Sequence, residues 1–306
     1  MKVLLAFPEW DNRWIPYFKK TLSCHDVSTI RTDELSLNKL WEQSIKADVL
    51  INMWADQVTQ FWAHHMKDKK IISYLRRYEL YAENWLQATA WKDVDALIFV
   101  SEHIRELFHR SQRNGTPQRI YCFYNAVDPE QFPFEEHDRK PTKIAFVCSM
   151  RVHKNFGLAA QILQALPEEY TLHHIGGINS NDKQVWTECF QNLGIADRWE
   201  WNAKVTANRI PRWLKDKDFI LSASFTEGNP NNMIEGMATG CIPVVHNWPG
   251  AKDQFHNDYV FNTVAEAVKI ITRRRCDERR FQRLWVETNY SMSNIRRIHE
   301  VIKDIS

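Results

Sequence analysis

Short apolar runs alternate with amphipathic stretches through nearly the whole chain. In the first half the runs are "KVLLAF", "DVSTI", "DVLINMW", "KKIISYL", "DALIFVS" and "RIYCFYNAV". Between them lie "WIPYFKKTL", "LNKLWEQSIKA", "QVTQFWAHHMK", "LYAENWLQATAWK" and "HIRELFHRSQ", which read as helices. Strands that are apolar throughout and separated by helices predict a parallel sheet covered on both faces. Residues 129 to 143, "PEQFPFEEHDRKPTK", are rich in proline and charge and have no periodicity, so they predict a linker.

After this stretch the pattern restarts. The strand candidates are "KIAFVCS", "YTLHHIGG", "RWEWNAKV", "DFILSAS" and "IPVVHNW"; the helix candidates are "GLAAQILQALP", "VWTECFQNLG", "IPRWLKD", "NMIEGMAT" and "AEAVKIITRRR". The last segment, "SMSNIRRIHEVIKDI", predicts a helix capped by Ser293 or Asn294. The expectation is an α/β chain of two doubly wound, Rossmann-like domains, 1–140 and 141–290, followed by a C-terminal helix over 291–306. In such folds ligands bind at the carboxyl ends of strands, here in a central crevice that the two halves would face.

Composition narrows the classes. The 306 residues are 44% hydrophobic and 25% charged, and the formal charge of +2 favours no charged partner. No apolar run approaches transmembrane length, so no stable membrane insertion is expected. The start, "MKVLLAFPEWDNRW", runs into Pro8, Glu9 and Trp10 without a small-residue cleavage site, which predicts a buried strand rather than a signal peptide. The six cysteines are far apart and four lie in or beside apolar runs, the pattern of reduced, buried thiols in a cytoplasmic protein and not of a disulfide frame or a zinc site. Most of the 13 tryptophans are expected in the core. Neither half carries a G-x-G-x-x-G or a P-loop motif, which weighs against dinucleotide redox and P-loop chemistry.

The chemistry concentrates in "SASFTEGNPNNMIEGMATGCIPVV". A strand ends near Ser224, a loop turns through Gly228, Asn229 and Pro230, and Asn231 or Asn232 is placed to cap a following helix. A helix start offers free N–H groups and a positive dipole end, which suit a phosphate. Gly228 lets the backbone approach a ligand. Glu227 precedes the helix, and Glu235 lies about one turn into it, where a carboxylate can accept two hydrogen bonds from a ribose diol. Two carboxylates and a helix start match a sugar joined through a diphosphate to a nucleoside.

On Ser224, Glu227, Gly228, Pro230, Asn231, Glu235, Met237, Ala238, Gly240, Pro243 and Val244, this stretch resembles the E-x7-E signature of GT-B-fold, retaining glycosyltransferases of family 4. Four further segments, "DALIFVSEHIRELF", "YNAVDPEQF", "CSMRVHKNFGLAAQIL" and "YTLHHIGG", are similar to family motifs in the same order. The resemblance implies that Glu235 binds the donor ribose, that Glu227 contacts the donor sugar, and that Arg151 and Lys154 neutralise the diphosphate. It places Gly176 in the donor site. It also implies a final helix that crosses back to the first domain, no cofactor, and no metal ion. In place of the family's usual histidine, "SYLRRYELY" offers Arg76, Arg77, Tyr78 and Glu79; with Trp10 these are the acceptor-binding candidates.

Other features read more plainly. Asp93 and Asp95 imitate a metal-binding Asp-x-Asp but fall in a helix-to-strand turn. His64-His65 and His173-His174 are adjacent in sequence, which points their rings apart. Arg273, Arg274, Arg275, Arg279, Arg280 and Arg283 form a basic cluster that reads as a solvated helix face or a contact for an anionic acceptor. The partners expected are a nucleotide sugar and an acceptor saccharide or lipid-linked saccharide, with the protein cytoplasmic or peripheral to a membrane. Two rivals are glycosylation of a hydroxymethylated base in DNA, and a non-catalytic sugar-nucleotide-binding module. Residues 1 to 140 carry about as many acids as bases, so they offer no phosphate track. Intact Glu227, Glu235, Arg151 and Lys154 argue for catalysis.

Overall fold

The computed structural model describes residues 1–33, 36–81, 85–111, 114–136, 140–203, 205–273 and 278–306. The chain divides into two units, Met1–Ala126 with Met292–Ser306, and Val127–Ser291.

The first unit holds six strands, β1 Lys2–Phe7, β2 Asp26–Arg31, β3 Val49–Asn52, β4 Lys70–Leu75, β5 Ala96–Phe99 and β6 Arg119–Cys122. They form one parallel sheet in the order β2-β1-β3-β4-β5-β6. Side chains alternate across it. Val3 and Leu5 join Phe18 and Tyr74 on one face, while Leu4 and Ala6 join Trp62, Trp91 and Phe108 on the other. Burying both faces is why the strands read as unbroken apolar runs. The helix Ile298–Ile305 lays Ile298, Val301, Ile302 and Ile305 against the first of these faces.

The second unit holds β7 Lys143–Val147, β8 Thr171–Ile175, β9 Trp199–Asn202, β10 Phe219–Ser222, β11 Ile242–His246 and β12 Val260–Phe261. Their order, β12-β11-β10-β7-β8-β9, is the dinucleotide-fold order. The helix Asn231–Ala238 packs so closely on β10 that a Cβ added at Gly236 would lie 2.8 Å from Ile220 Cβ. No helix among the described residues is long and apolar enough to cross a membrane.

Three local expectations change. The stretch 129–143 packs in the second unit rather than hanging as a linker, with Phe132 buried; its residues 137–139 lie outside the described residues. Ser293 and Asn294 do not cap the last segment: Ser293 is already helical after Met292, which makes no side-chain cap bond. A helix over Glu278–Asn289 was not singled out. Its charged face hides the apolar period, and the residues it buries are Glu278, Gln282 and Val286, two of them polar.

Candidate active site

Each sheet reverses its winding at one place, β1/β3 in the first unit and β7/β10 in the second. Loops leaving the carboxyl ends of such neighbours diverge to opposite faces and leave a cleft between them. Most sequence candidates of the second unit sit on the two loops after β7 and β10 or on the helix Asn231–Ala238 that follows the second, while Gly176 follows β8. The first carries Arg151 and Lys154; the second carries Glu227 to Pro230.

The two loops are tied together. Lys154 Nζ bonds Glu227 Oε1, which also accepts from Ser224 Oγ at 2.6 Å. The Phe225 N–H donates to His153 O at 2.8 Å, and His246 Nδ1 donates to Ser224 O at 2.8 Å. Glu227 is only 7% exposed. A buried carboxylate with an ammonium on one side and a hydroxyl donor on the other is held in one orientation. Burial pushes the neighbouring Cys148 thiol up to about 12, so it stays protonated and is no nucleophile at neutral pH. Arg151 is exposed.

Two backbone features shape the first loop. Asn155 adopts the left-handed conformation with φ 49°, which turns the short 3-10 segment Val152–Lys154 into the helix Phe156–Ala165. Asparagine tolerates that conformation better than other side-chain-bearing residues. Gly176, at the end of β8, has φ 152°, and a Cβ there would lie 1.7 Å from Cys148 O. Only glycine lets β8 pass this close to the start of the loop.

The second loop is pinned from behind. Gln254 Nε2 donates to Gly228 O at 2.8 Å, and Asn229 Nδ2 donates to Gln254 Oε1 at 2.6 Å. Gly228, Asn229 and Pro230 are all buried. Neither Asn231 nor Asn232 caps the helix as expected, because Pro230 occupies the cap position and makes no side-chain bond. Asn232 instead donates to Val147 O at 2.7 Å, reaching across to β7. Asn231 keeps a buried Oδ1 with no hydrogen bond among the described residues. Glu235, four residues on, shares its helix face and is half-buried. Gln254 carried no sequence signal, since it lies on a short helix after an unremarkable turn.

In the first unit the loops after β1, β3 and β4 form a second cluster. Arg76 is buried, donates to Asn125 Oδ1 at 2.9 Å, stacks 4.9 Å from the Trp54 ring centroid and has Asp11 Oδ2 at 3.9 Å. Trp54 Nε1 donates to Asp11 Oδ2 at 2.8 Å. Trp10, 67% exposed, meets Trp54 edge to face. So Arg76 and Trp10 belong to one cluster, whose other members, Asp11, Trp54 and Asn125, the sequence did not mark. Tyr78 is 57% exposed, and Arg77 lies over the Tyr81 ring.

Glu79, an acceptor-binding candidate, is fully buried. Neither of its oxygens has a hydrogen bond among the described residues. Burial pushes its carboxyl up to about 8, against the pull of nearby backbone amides and the Arg76 guanidinium. The folded state thus holds a proton that the unfolded chain releases near the ordinary 4.5. Stability should fall as pH rises from about 4.5 to 8 and level off above, with a limiting slope of about 1.4 kcal/mol per pH unit. Urea unfolding at pH 5 and pH 8 measures this, and Glu79→Gln should flatten the difference. An unchanged slope in the variant would show that another group carries the proton.

Two members of the basic cluster, Arg279 and Arg283, are structural, while Arg280 is exposed. Arg279 donates to Lys217 O and Thr239 O, and Arg283 donates to Phe132 O and Ala238 O. Both guanidinium groups therefore bind carbonyls at the carboxyl end of the helix Asn231–Ala238, where its dipole is negative. Arg274 and Arg275 lie outside the described residues. Asp93 pairs with Lys67, and Asp95 accepts from the Ile71 N–H at 2.9 Å, as expected of a turn. His173 sits 3.0 Å from Glu200, while His174 donates to Cys148 O, so the two rings serve different neighbours.

The architecture is that of the GT-B glycosyltransferases. HepE of Anabaena in complex with UDP aligns with TM-score 0.80 at 14% identity, covering 99% of this chain and 100% of that one. The lipopolysaccharide outer core galactosyltransferase WaaB, in apo form, aligns at TM-score 0.72 and 16% identity over 99% of each chain. Sucrose-phosphate synthase of Thermosynechococcus elongatus aligns at 0.78 and 10% identity, over 100% of this chain and 99% of that one. Residues 127–271, a little under half of the chain, match the family model of glycosyl transferases group 1. No curated protein matches the sequence. The family match and the fold together support a GT-B glycosyltransferase.

Proposed function

We propose that the protein transfers a sugar from a nucleoside diphosphate sugar to an acceptor hydroxyl with retention of anomeric configuration, in the manner of family 4. The observation that carries this reading is the Lys154–Glu227–Ser224 cluster, which joins the loops after β7 and β10 at the winding reversal of the second unit. In this reading the diphosphate meets the amides at the start of the helix Asn231–Ala238 together with Lys154 and Arg151. The ribose diol is held by Glu235, with Asn231 on the same helix face. The HepE structures in complex with UDP and with UDP-glucose make a uridine donor the first to try.

The acceptor belongs to the first unit in this reading. An aromatic pair, Trp10 and Trp54, beside the Arg76 guanidinium suits a sugar ring, which stacks on indole and hydrogen-bonds at its hydroxyls. A saccharide or lipid-linked saccharide is therefore favoured over a base in DNA. Mass spectrometry of reactions with a panel of sugar nucleotides, each offered to free saccharides and to hydroxymethylated DNA, tests both halves. Transfer to DNA alone would overturn the acceptor reading, and failure to bind any sugar nucleotide would overturn the whole.

Glu235→Ala should weaken binding of the free nucleoside diphosphate, because the diol loses a charged acceptor worth about 1.5–3 kcal/mol, roughly ten- to a hundredfold. Calorimetry on the folded variant measures it. Unchanged affinity would remove Glu235 from the donor site.

A further inference from the structure

The first unit brings together three metal-ligating side chains that the proposed transfer does not use. Cys24 and His25 lie in the turn between the helix Ile15–Thr21 and β2, and His299 lies on the helix Ile298–Ile305. One ligand atom from each falls within 4.8 Å of the others. The two imidazole centroids are 6.2 Å apart. Adjacent residues in a strand or helix point apart, but here the His25 N–H closes a tight turn onto Leu22 O at 2.9 Å. Leu22 is fully buried and anchors that turn to the core.

We propose that Cys24, His25 and His299 form a binding site for a divalent transition-metal ion of zinc type, which would tie the C-terminal helix to the turn before β2. A thiol and two imidazoles, with no carboxylate, are the donor set of zinc rather than of magnesium or calcium. The outer shell is already set for His299. Its Nε2 lies 2.8 Å from Thr21 O, and a carbonyl only accepts, so Nε2 donates there and Nδ1 is the nitrogen left for a metal. A backbone carbonyl holding the far nitrogen is the usual support of a metal-bound histidine. Bond lengths of about 2.3 Å to sulfur and 2.0–2.1 Å to nitrogen require ligand atoms about 3.5 Å apart, which small side-chain rotations supply. On binding, the Cys24 thiol releases its proton to solvent and the thiolate enters the coordination shell. Three protein ligands leave a fourth position for water.

Cobalt(II) titration of the metal-stripped full-length protein, under reducing conditions, tests this. The expected result is a thiolate-to-cobalt charge-transfer band and intense tetrahedral d–d bands that saturate at one equivalent and vanish when zinc is added. Cys24→Ser should lose the charge-transfer band. His299→Gln should weaken binding by more than the ten- to hundredfold that loss of an outer-shell partner costs. Zinc should raise the thermal midpoint of the wild type and not that of Cys24→Ser, a readout independent of transfer. Cys189→Ser, altered in the second unit, should behave as wild type. Should His299→Gln fail to fold, His25→Gln is measured in its place. Absence of the charge-transfer band in the wild type, or equal affinity in Cys24→Ser, means an adventitious ion only and overturns the site.

Discussion

Glu227→Ala is expected to lower kcat by about a hundredfold or more, the scale set by removal of one preorganised group from a transfer site. The carboxylate is 7% exposed and receives both Ser224 Oγ and Lys154 Nζ, so its loss acts twice. In the proposed reading the donor sugar loses the charge facing it, and the lysine ammonium, whose side chain is 19% exposed, loses the group that aims it. Nucleoside diphosphate affinity should change less than in Glu235→Ala, since the ribose contact proposed for Glu235 remains. Glu227→Gln separates the two contributions. Glutamine keeps an oxygen for Ser224 and Lys154 but no charge; if it restores most of the turnover, Glu227 serves to place Lys154. If it is as impaired as alanine, the charge itself acts on the sugar. Steady-state kinetics alongside calorimetry measure this, and turnover within tenfold of wild type in folded Glu227→Ala would sink the assignment.

Lys154→Ala is expected to cost about a hundredfold in kcat, with Arg151→Ala in the same direction, and transfer is expected to survive excess EDTA. The leaving diphosphate develops negative charge that must meet something positive. In this reading the ammonium, the guanidinium and the free amides at the start of the helix Asn231–Ala238 supply it without a metal. Activity abolished by EDTA and rescued by Mg²⁺ or Mn²⁺ would transfer that role to a metal. Circular dichroism on the EDTA-treated protein distinguishes this from unfolding caused by stripping the ion proposed for Cys24, His25 and His299.

The strands and their parallel arrangement were legible because a sheet covered on both faces needs apolar side chains at every position, as in "LLAF" of β1 and "VLIN" of β3. The helix Glu278–Asn289 was not legible, because Arg279 and Arg283 place guanidinium groups on backbone carbonyls where a core helix would place leucine. A pattern of charges cannot reveal that its partners are carbonyls far away in sequence. The helix caps failed for a related reason. Asn231 follows a proline that already occupies the cap, and Asn232 is drawn to the end of a neighbouring strand instead. Local preference is a weak force once a long-range partner is available.

In the candidate site, Glu227 and Glu235 could be singled out from residue type and spacing because each lies next to a strand end or helix start, whereas Arg151 and Lys154 were marked only through the family resemblance. The sequence by itself determined the alternation of buried strands and helices, and hence that strand-end loops would carry the chemistry. Only the tertiary structure decided which loops meet. The order β12-β11-β10-β7-β8-β9 puts β7 beside β10, so that Lys154 reaches Glu227 across 73 positions of chain. It likewise buried Glu79, gathered Asp11, Arg76 and Asn125, and set His299 beside Cys24 and His25. Hydrophobic periodicity records how deeply a residue is buried, whereas strand order is set by the packing of whole elements, and no single stretch of sequence contains it.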